Sequence, residues 1–312
     1  MDESKNVGSE CIHVQIIPML SFTSERDITI NGCRIRKLCE NEKQKIRNSE
    51  ALKLAWPEAE RATFDFNFVI ESSLSETLLA HDIIAALRIF KPFAVSTFPH
   101  IGLEIRNGKI VHIPSAQFFA SLYDVTNGSV YALSEKEAEE FEEFCKLFSK
   151  AISRAYMRTA INRFSNAYRK GFDGDRLVDY VIALEALFSE NSEEIGYKLR
   201  LRVPMFLGIR TEIGERIRIR EYVKTAYDIR SGIVHGSEDF TKFFPKEMKK
   251  LHSRLEEKLQ CKLAINEQNF FSECFLPEIK EITRKAIYGF ITQSGSCLLK
   301  KKKILETIDD AL

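Results

Sequence analysis

Several sequence signatures of familiar chemistry are missing from this 312-residue chain. It has no Gly-x-Gly-x-x-Gly turn, no Gly-x4-Gly-Lys phosphate loop and no Gly-x-Ser-x-Gly elbow, so dinucleotide binding, nucleotide hydrolysis and esterase chemistry lack support. The seven cysteines (Cys11, Cys33, Cys39, Cys145, Cys261, Cys274 and Cys297) are odd in number and never form a Cys-x-x-Cys pair. That pattern argues against a disulfide framework and a zinc site, and leads us to expect a reducing cytoplasm with no metal and no cofactor. Charge of one sign is also lacking, because 46 Lys and Arg against 45 Asp and Glu leave a net charge of +1. Any binding of nucleic acid must then come from local patches. No long hydrophobic run occurs: the most apolar stretch, Leu78 to Val95, is interrupted by His81, Asp82, Arg88, Lys91 and Pro92, too polar to cross a membrane. Met1 to Glu10 is polar, so no secretory leader is expected.

What is present divides near residue 132. Ile28 to Ile35 alternates around Asn31-Gly32, and Leu103 to Ile110 alternates around Asn107-Gly108, both hairpin signals. Phe64 to Ile70 alternates as a strand, and Leu74 to Phe90 has the pattern of a buried helix. At Ser134-x-x-Glu137 a capping box opens a helical repeat of Phe141, Phe144, Leu147 and Phe148. From there the pattern is mostly helical, with breaks expected at Pro204 and Gly208, Phe244-Pro245 and Leu276-Pro277. The expected architecture is an α+β domain over residues 1–132, followed by an all-α domain over residues 133–312.

The most distinctive segment runs from Ala226 to Gly236 and carries Arg230 and His235 five residues apart. Tyr222, Val223, Ala226, Ile229, Ile233 and Val234 recur at helical spacing, and Gly236 stands where a helix usually ends. Cleaving RNA through its own 2′-hydroxyl needs a group that moves protons near neutrality, as histidine does. It also needs fixed positive charge on the phosphate, which an arginine fork supplies. Arg230 is thus the candidate clamp and His235 the candidate general acid or base, with Ser231, Asp228 and Glu185 in support. On one helix the two side chains lie about 140° apart around the axis and about 7.5 Å apart along it. Two copies about a twofold axis would bring both pairs to one phosphate, so a homodimer is expected. The simpler alternative is a histidine placed at the negative end of a helix dipole.

Three segments resemble the Apea-like HEPN domains (higher eukaryotes and prokaryotes nucleotide-binding). They are Asp175 to Phe188 (DRLVDYVIALEALF), Ile195 to Pro204 (IGYKLRLRVP) and Tyr227 to Gly236 (YDIRSGIVHG), in the family's order and spacing, with the likeness covering residues 135–300. The resemblance implies an antiparallel helical bundle, commonly dimeric, whose Arg-x4-6-His motif is a metal-independent ribonuclease centre. Carried over, that motif is Arg230 and His235. Many active members have Asn, Asp or His after the arginine, where this chain has Ser231. Members silenced on a tyrosine carry it two residues after the histidine, where Ser237 stands here.

Two stretches suit RNA. Residues 151–172 hold Arg154, Arg158, Arg163, Arg169 and Lys170 without an acidic residue, interleaved with Tyr156, Phe164, Tyr168 and Phe172. Those rings either track a strand or belong to the core. Residues 198–224 add Arg200 and Arg202 as expected phosphate contacts, and Lys300 to Lys303 forms a basic run. Glu185, in an apolar helix, needs a partner: a structural arginine, or Arg230 itself. These features point to an endoribonuclease acting on single-stranded RNA or tRNA loops, in defence or as a toxin, with the first domain sensing a ligand or binding a regulatory protein. The alternatives are a non-catalytic RNA- or nucleotide-binding module and a structural subunit.

Overall fold

The computed structural model describes residues 12–20, 22–30, 32–48, 66–73, 77–92, 96–97, 100–106, 109–117, 130–191, 193–208, 212–235, 240–260, 270–297 and 301–311. They divide into two compact units, Met1–Arg88 with Phe93–Cys145, and Ile89–Pro92 with Lys146–Leu312.

The first unit is α+β. A sheet has the order β3 (Ile28–Ile30), β4 (Cys33–Lys37), β5 (Phe66–Ser73), β1 (Ile12–Leu20), β7 (His100–Arg106) and β8 (Lys109–Gln117), with β6 (Ser96–Thr97) also paired to β1. Both expected hairpins form, since Ile30 pairs with Cys33 and Arg106 with Lys109. Gly32 takes φ 86°, a left-handed turn geometry that glycine adopts without cost. Asn31 and residues 107–108 lie outside the described residues. In β3 and β4 the buried Ile28, Ile30, Cys33 and Ile35 alternate with exposed Thr29 and Arg34. In the central β5, Phe68, Val69 and Ile70 are all buried, as a strand covered on both faces requires. The strand expected from Phe64 is described from Phe66, and the helix expected from Leu74 is described as α2 (Thr77–Phe90). Helix α1 (Glu40–Arg47) follows β4. A separate parallel pair, β2 (Phe22–Ser24) with β9 (Tyr131–Leu133), stacks Phe22 on Tyr131, whose hydroxyl donates to the Leu87 carbonyl at 2.8 Å.

The capping box is formed as the sequence indicates. The Ser134 amide donates to Glu137 Oε2 at 3.0 Å, and the Glu137 amide donates to Ser134 Oγ at 3.3 Å, which starts α3 (Glu135–Ile152). The unit boundary falls later than residue 132, between Cys145 and Lys146. The reason is Glu142 on α3, which accepts from Arg26 at 2.7 Å and from the Thr29 amide at 3.0 Å. That carboxylate blunts the β3 edge and binds the first turns of α3 to the sheet.

The second unit is helical: α4 (Ala155–Ala167), α5 (Asp173–Phe188), α6 (Ile195–Gly208), α7 (Ile213–His235), α8 (Phe240–Leu259), α9 (Leu276–Cys297) and α10 (Lys301–Asp309). Helix α5 is central and packs against α4, α6, α7 and α9. Phe290 on α9 gathers Phe188, Phe206 and Tyr156 around it, with ring centroids 5.3, 4.8 and 6.4 Å away. Gly208 is the last described residue of α6, but Pro204 is buried inside that helix and Pro245 lies inside α8. A proline removes one backbone donor without ending a helix that tertiary packing holds on both sides. At Leu276-Pro277 the chain stays coiled too, passing from a wider π turn (Phe271–Phe275) straight into α9. Among the described residues, no helix is long and apolar enough to cross a membrane.

The C-terminal end of α5 is capped from afar. Arg202 donates to the Phe188 carbonyl at 2.8 Å, and Lys301 donates to the carbonyls of Ala186, at 2.7 Å, and Ser189. Cations satisfy the orphan carbonyls and suit the negative end of the helix dipole. Within the basic run at Lys300 to Lys303, Lys301 is thereby structural, Lys302 and Lys303 are exposed, and Lys300 lies outside the described residues.

Candidate functional site

The three segments singled out in the sequence meet in space. Helix α7 ends at His235, and Tyr222, Val223, Ala226 and Ile229 are buried as the spacing predicts. Gly236 and Ser237 lie outside the described residues. The last turn is different: Ile233 is half-buried, Val234 is 51% exposed and His235 is exposed.

Arg230 points at Glu185 of α5. Its Nε lies 3.4 Å from Oε1, an ion pair without a hydrogen bond, and its Nη2 donates to Oε2, also at 3.4 Å. These distances are at the long end for charged partners. The arginine side chain is 22% exposed and the glutamate 14%. Burial pushes the Glu185 carboxyl above its ordinary range, against the pull of Arg230. Of the two expected partners for Glu185, the structure places Arg230 itself.

The second segment touches the third through Gly196. A Cβ there would lie 2.7 Å from a Tyr227 ring carbon, so only glycine lets the first turn of α6 sit this close to α7. Gly232, two residues after Arg230, is likewise covered by Phe243 of α8, which would stand 2.6 Å from a Cβ. Arg230 thus sits in a turn of α7 fixed by close contacts on both flanks. Ser231 is half-buried and Asp228 is exposed.

The expected RNA contacts separate into two groups. Arg202 is a correction: only 8% exposed, it meets Asp309 through Nε at 2.8 Å and Nη2 at 2.6 Å, and Glu190 lies 3.7 Å away. Its donors are committed to α10 and to the end of α5, so it does not present a phosphate site. Arg163 pairs with buried Asp179 at 3.0 Å but stays 46% exposed, and Arg158 donates to the Ile152 carbonyl at 3.2 Å. Arg154 has Nη1 3.5 Å from the Tyr156 hydroxyl. Of the interleaved rings, Phe164 and Tyr168 are core, Tyr156 packs on Phe290, and Phe172 is half exposed. The strand-tracking reading of that stretch therefore loses its aromatic half. Arg200 keeps its guanidinium over the Tyr197 ring, with its carbon 5.1 Å from the centroid.

One polar cluster was not anticipated. Glu221, buried in α7, accepts from Arg254 Nε at 2.9 Å and from Lys258, while Arg254 also donates to the Thr225 hydroxyl at 2.7 Å. Burial works to raise the Glu221 carboxyl, but Lys258 and Arg254 outweigh it and hold it below the usual range. The available signal was the i, i+4 spacing of Arg254 and Lys258 on one face of α8. The cluster clamps α8 to α7 two to three turns before Arg230.

Among the described residues, no group of three or more His, Cys, Asp or Glu side chains is placed to hold a metal ion. Comparison with known proteins gives no match: no family model, no curated protein and no solved structure matches the chain.

Proposed function

We propose that the helical unit is a metal-independent endoribonuclease of the HEPN type, cutting single-stranded RNA or tRNA loops as a defence or toxin effector. The observation that carries this reading is Arg230, held by Glu185 and five residues ahead of an exposed His235 at the end of α7. In-line attack by a 2′-oxygen on phosphorus forms a 2′,3′-cyclic phosphate and expels the 5′-oxygen. One proton must leave the 2′-hydroxyl and one must reach the departing oxygen. Arg230 neutralises the charge that grows on the non-bridging oxygens. A single copy supplies one histidine turned away from its arginine, so two copies joined through the helical unit supply the base, the acid and both clamps. The half-buried Ile233 and exposed Val234 beside His235 are the apolar surface such a partner would cover. The α+β unit then serves as the regulatory or partner-binding part, and the protein acts in the cytoplasm.

A second reading has its own support. The Glu185 carboxylate already occupies Nε and Nη2 of Arg230, as suits an arginine that braces α5 against α7 in a module that holds RNA by its other basic residues without cutting it. The separating experiment incubates the protein and its His235→Ala variant with tRNA and single-stranded RNA in EDTA, followed by end-group analysis. Fragments ending in 2′,3′-cyclic phosphate from the parental protein alone support the nuclease. RNA retention with no fragments from either protein supports the binding module.

A further inference from the structure

Most aromatic side chains of the helical unit are buried, but Tyr197 is 51% exposed in the first turn of α6. Arg200, one turn later on the same face, lays its guanidinium carbon 5.1 Å from the ring centroid. Its Nε is buried and makes no hydrogen bond. The acid pairing that occupies Arg163 and Arg202 has no counterpart at Arg200 among the described residues. An isolated surface tyrosine needs no explanation. A tyrosine backed by an arginine with no carboxylate partner is a different object, since both planes are suited to stacking and the cation is available to a phosphate.

Position adds the second half. Gly196 seats the first turn of α6 directly on Tyr227, and Tyr227 precedes Arg230 by three residues on the same side of α7. Tyr197 directly follows Gly196, so the turn of α6 that carries it lies beside the turn of α7 that leads into the Glu185–Arg230 pair.

We propose that Tyr197 and Arg200 form a stacking subsite for one unpaired nucleobase of a single-stranded RNA. The subsite rests on the RNA reading of the Arg230 site and deepens it: the base next to the bound phosphate is held by its π face, and a base-paired duplex is refused because its faces are already stacked. Stacking on a tyrosine tolerates any base, so the subsite selects unpaired nucleotides without reading sequence.

The test is an abasic scan. Full-length protein carrying His235→Ala, so that bound strands stay intact, is titrated with a 12-nucleotide single-stranded RNA in which each base in turn is removed. The same titration is repeated with Tyr197→Ala, Tyr197→Phe and Arg200→Gln added. Loss of one base is expected to weaken binding about tenfold. That penalty should vanish with Tyr197→Ala, persist with Tyr197→Phe and shrink with Arg200→Gln. Tyr197 is half exposed, so its truncation opens no core cavity, and Arg200→Gln gives an independent check. Binding that is insensitive to every abasic position, or equally sensitive with and without the Tyr197 ring, overturns the subsite while leaving the RNA reading in place. No RNA binding even at low salt overturns both.

Discussion

Removing Arg230 alone should cost stability as well as function, and removing its partner too should return most of the stability. At 3.4 Å the charges of Arg230 and Glu185 attract by about 5 kcal/mol at an effective dielectric of 20. Partial exposure and desolvation of both groups reduce the net value to about 2 kcal/mol. Arg230→Met leaves a carboxylate in the apolar α5 without its cation, for a loss of about 2 kcal/mol at neutral pH. Glu185→Gln leaves a half-buried cation beside an amide oxygen, for a loss of about 1 kcal/mol. The double variant should lose about 1 kcal/mol, a coupling of about 2 kcal/mol in a cycle measured by urea unfolding. The sign with pH follows from the raised Glu185 carboxyl. Between the unfolded value and the higher folded one, the folded state binds more protons, so this group's contribution to stability falls as pH rises. Arg230→Met raises the folded value further, so its penalty should be largest near neutrality and fade in acid, where Glu185 is protonated. Additive single effects, or a penalty independent of pH, would refute the pairing. The double variant also separates fold from chemistry, being folded yet expected to release no cyclic-phosphate ends.

Two further outcomes follow from the packing around the site. Gly196→Ala pushes a methyl into the Tyr227 ring and should destabilise by about 1–3 kcal/mol, despite alanine's better helix propensity. Gly214→Ala, whose added Cβ meets Leu259 at an ordinary 3.7 Å, should instead stabilise by up to about 1 kcal/mol; thermal unfolding with equal signs for the two would contradict the contact at Tyr227. Burial lowers the Lys301 amine from 10.5 to about 8, opposed by Glu190 and reinforced by Arg202. In that interval the unfolded chain holds the proton that the folded one has released, so stability should gain a rising component from pH 8 upward. Lys301→Met should remove that component from the pH profile of the melting temperature, and identical slopes for the two proteins would show that the amine is not desolvated.

Local rules were legible wherever partners lie within a few residues of each other. The β3–β4 hairpin follows from alternation about Asn31-Gly32, α3 begins at the Ser134–Glu137 box, and the apolar positions Tyr222, Val223, Ala226 and Ile229 of α7 are buried as spaced. What could not be read depends on residues far apart in the chain. The late unit boundary comes from Glu142 reaching back to Arg26 and Thr29, which no local composition reports. Pro204 and Pro245 looked like helix ends because propensity is a local quantity, whereas the packing that keeps α6 and α8 intact is not.

The same division governs the candidate site. Arginines without acidic neighbours in sequence looked available for RNA, yet a carboxylate elsewhere in the fold reaches two of them: Asp179 meets Arg163 across 16 positions and Asp309 meets Arg202 across 107. Glu221 engages Arg254 and Lys258, and Glu215 and Glu278 hold Arg218. A phosphate competes poorly for such guanidinium groups, because it must displace a bound carboxylate that the fold already holds in place. Arg230 is held more loosely, at 3.4 Å and with one donor unbonded, and among the described residues Arg200 is held only by a ring. Arg200 lies on α6 one turn after Gly196, the residue that seats α6 on Tyr227 of α7. A basic residue's value to an anion is set by how tightly its own fold already holds it, and on that measure the proposed RNA contact narrows from two long basic stretches to the turn bearing Arg230 and the first two turns of α6.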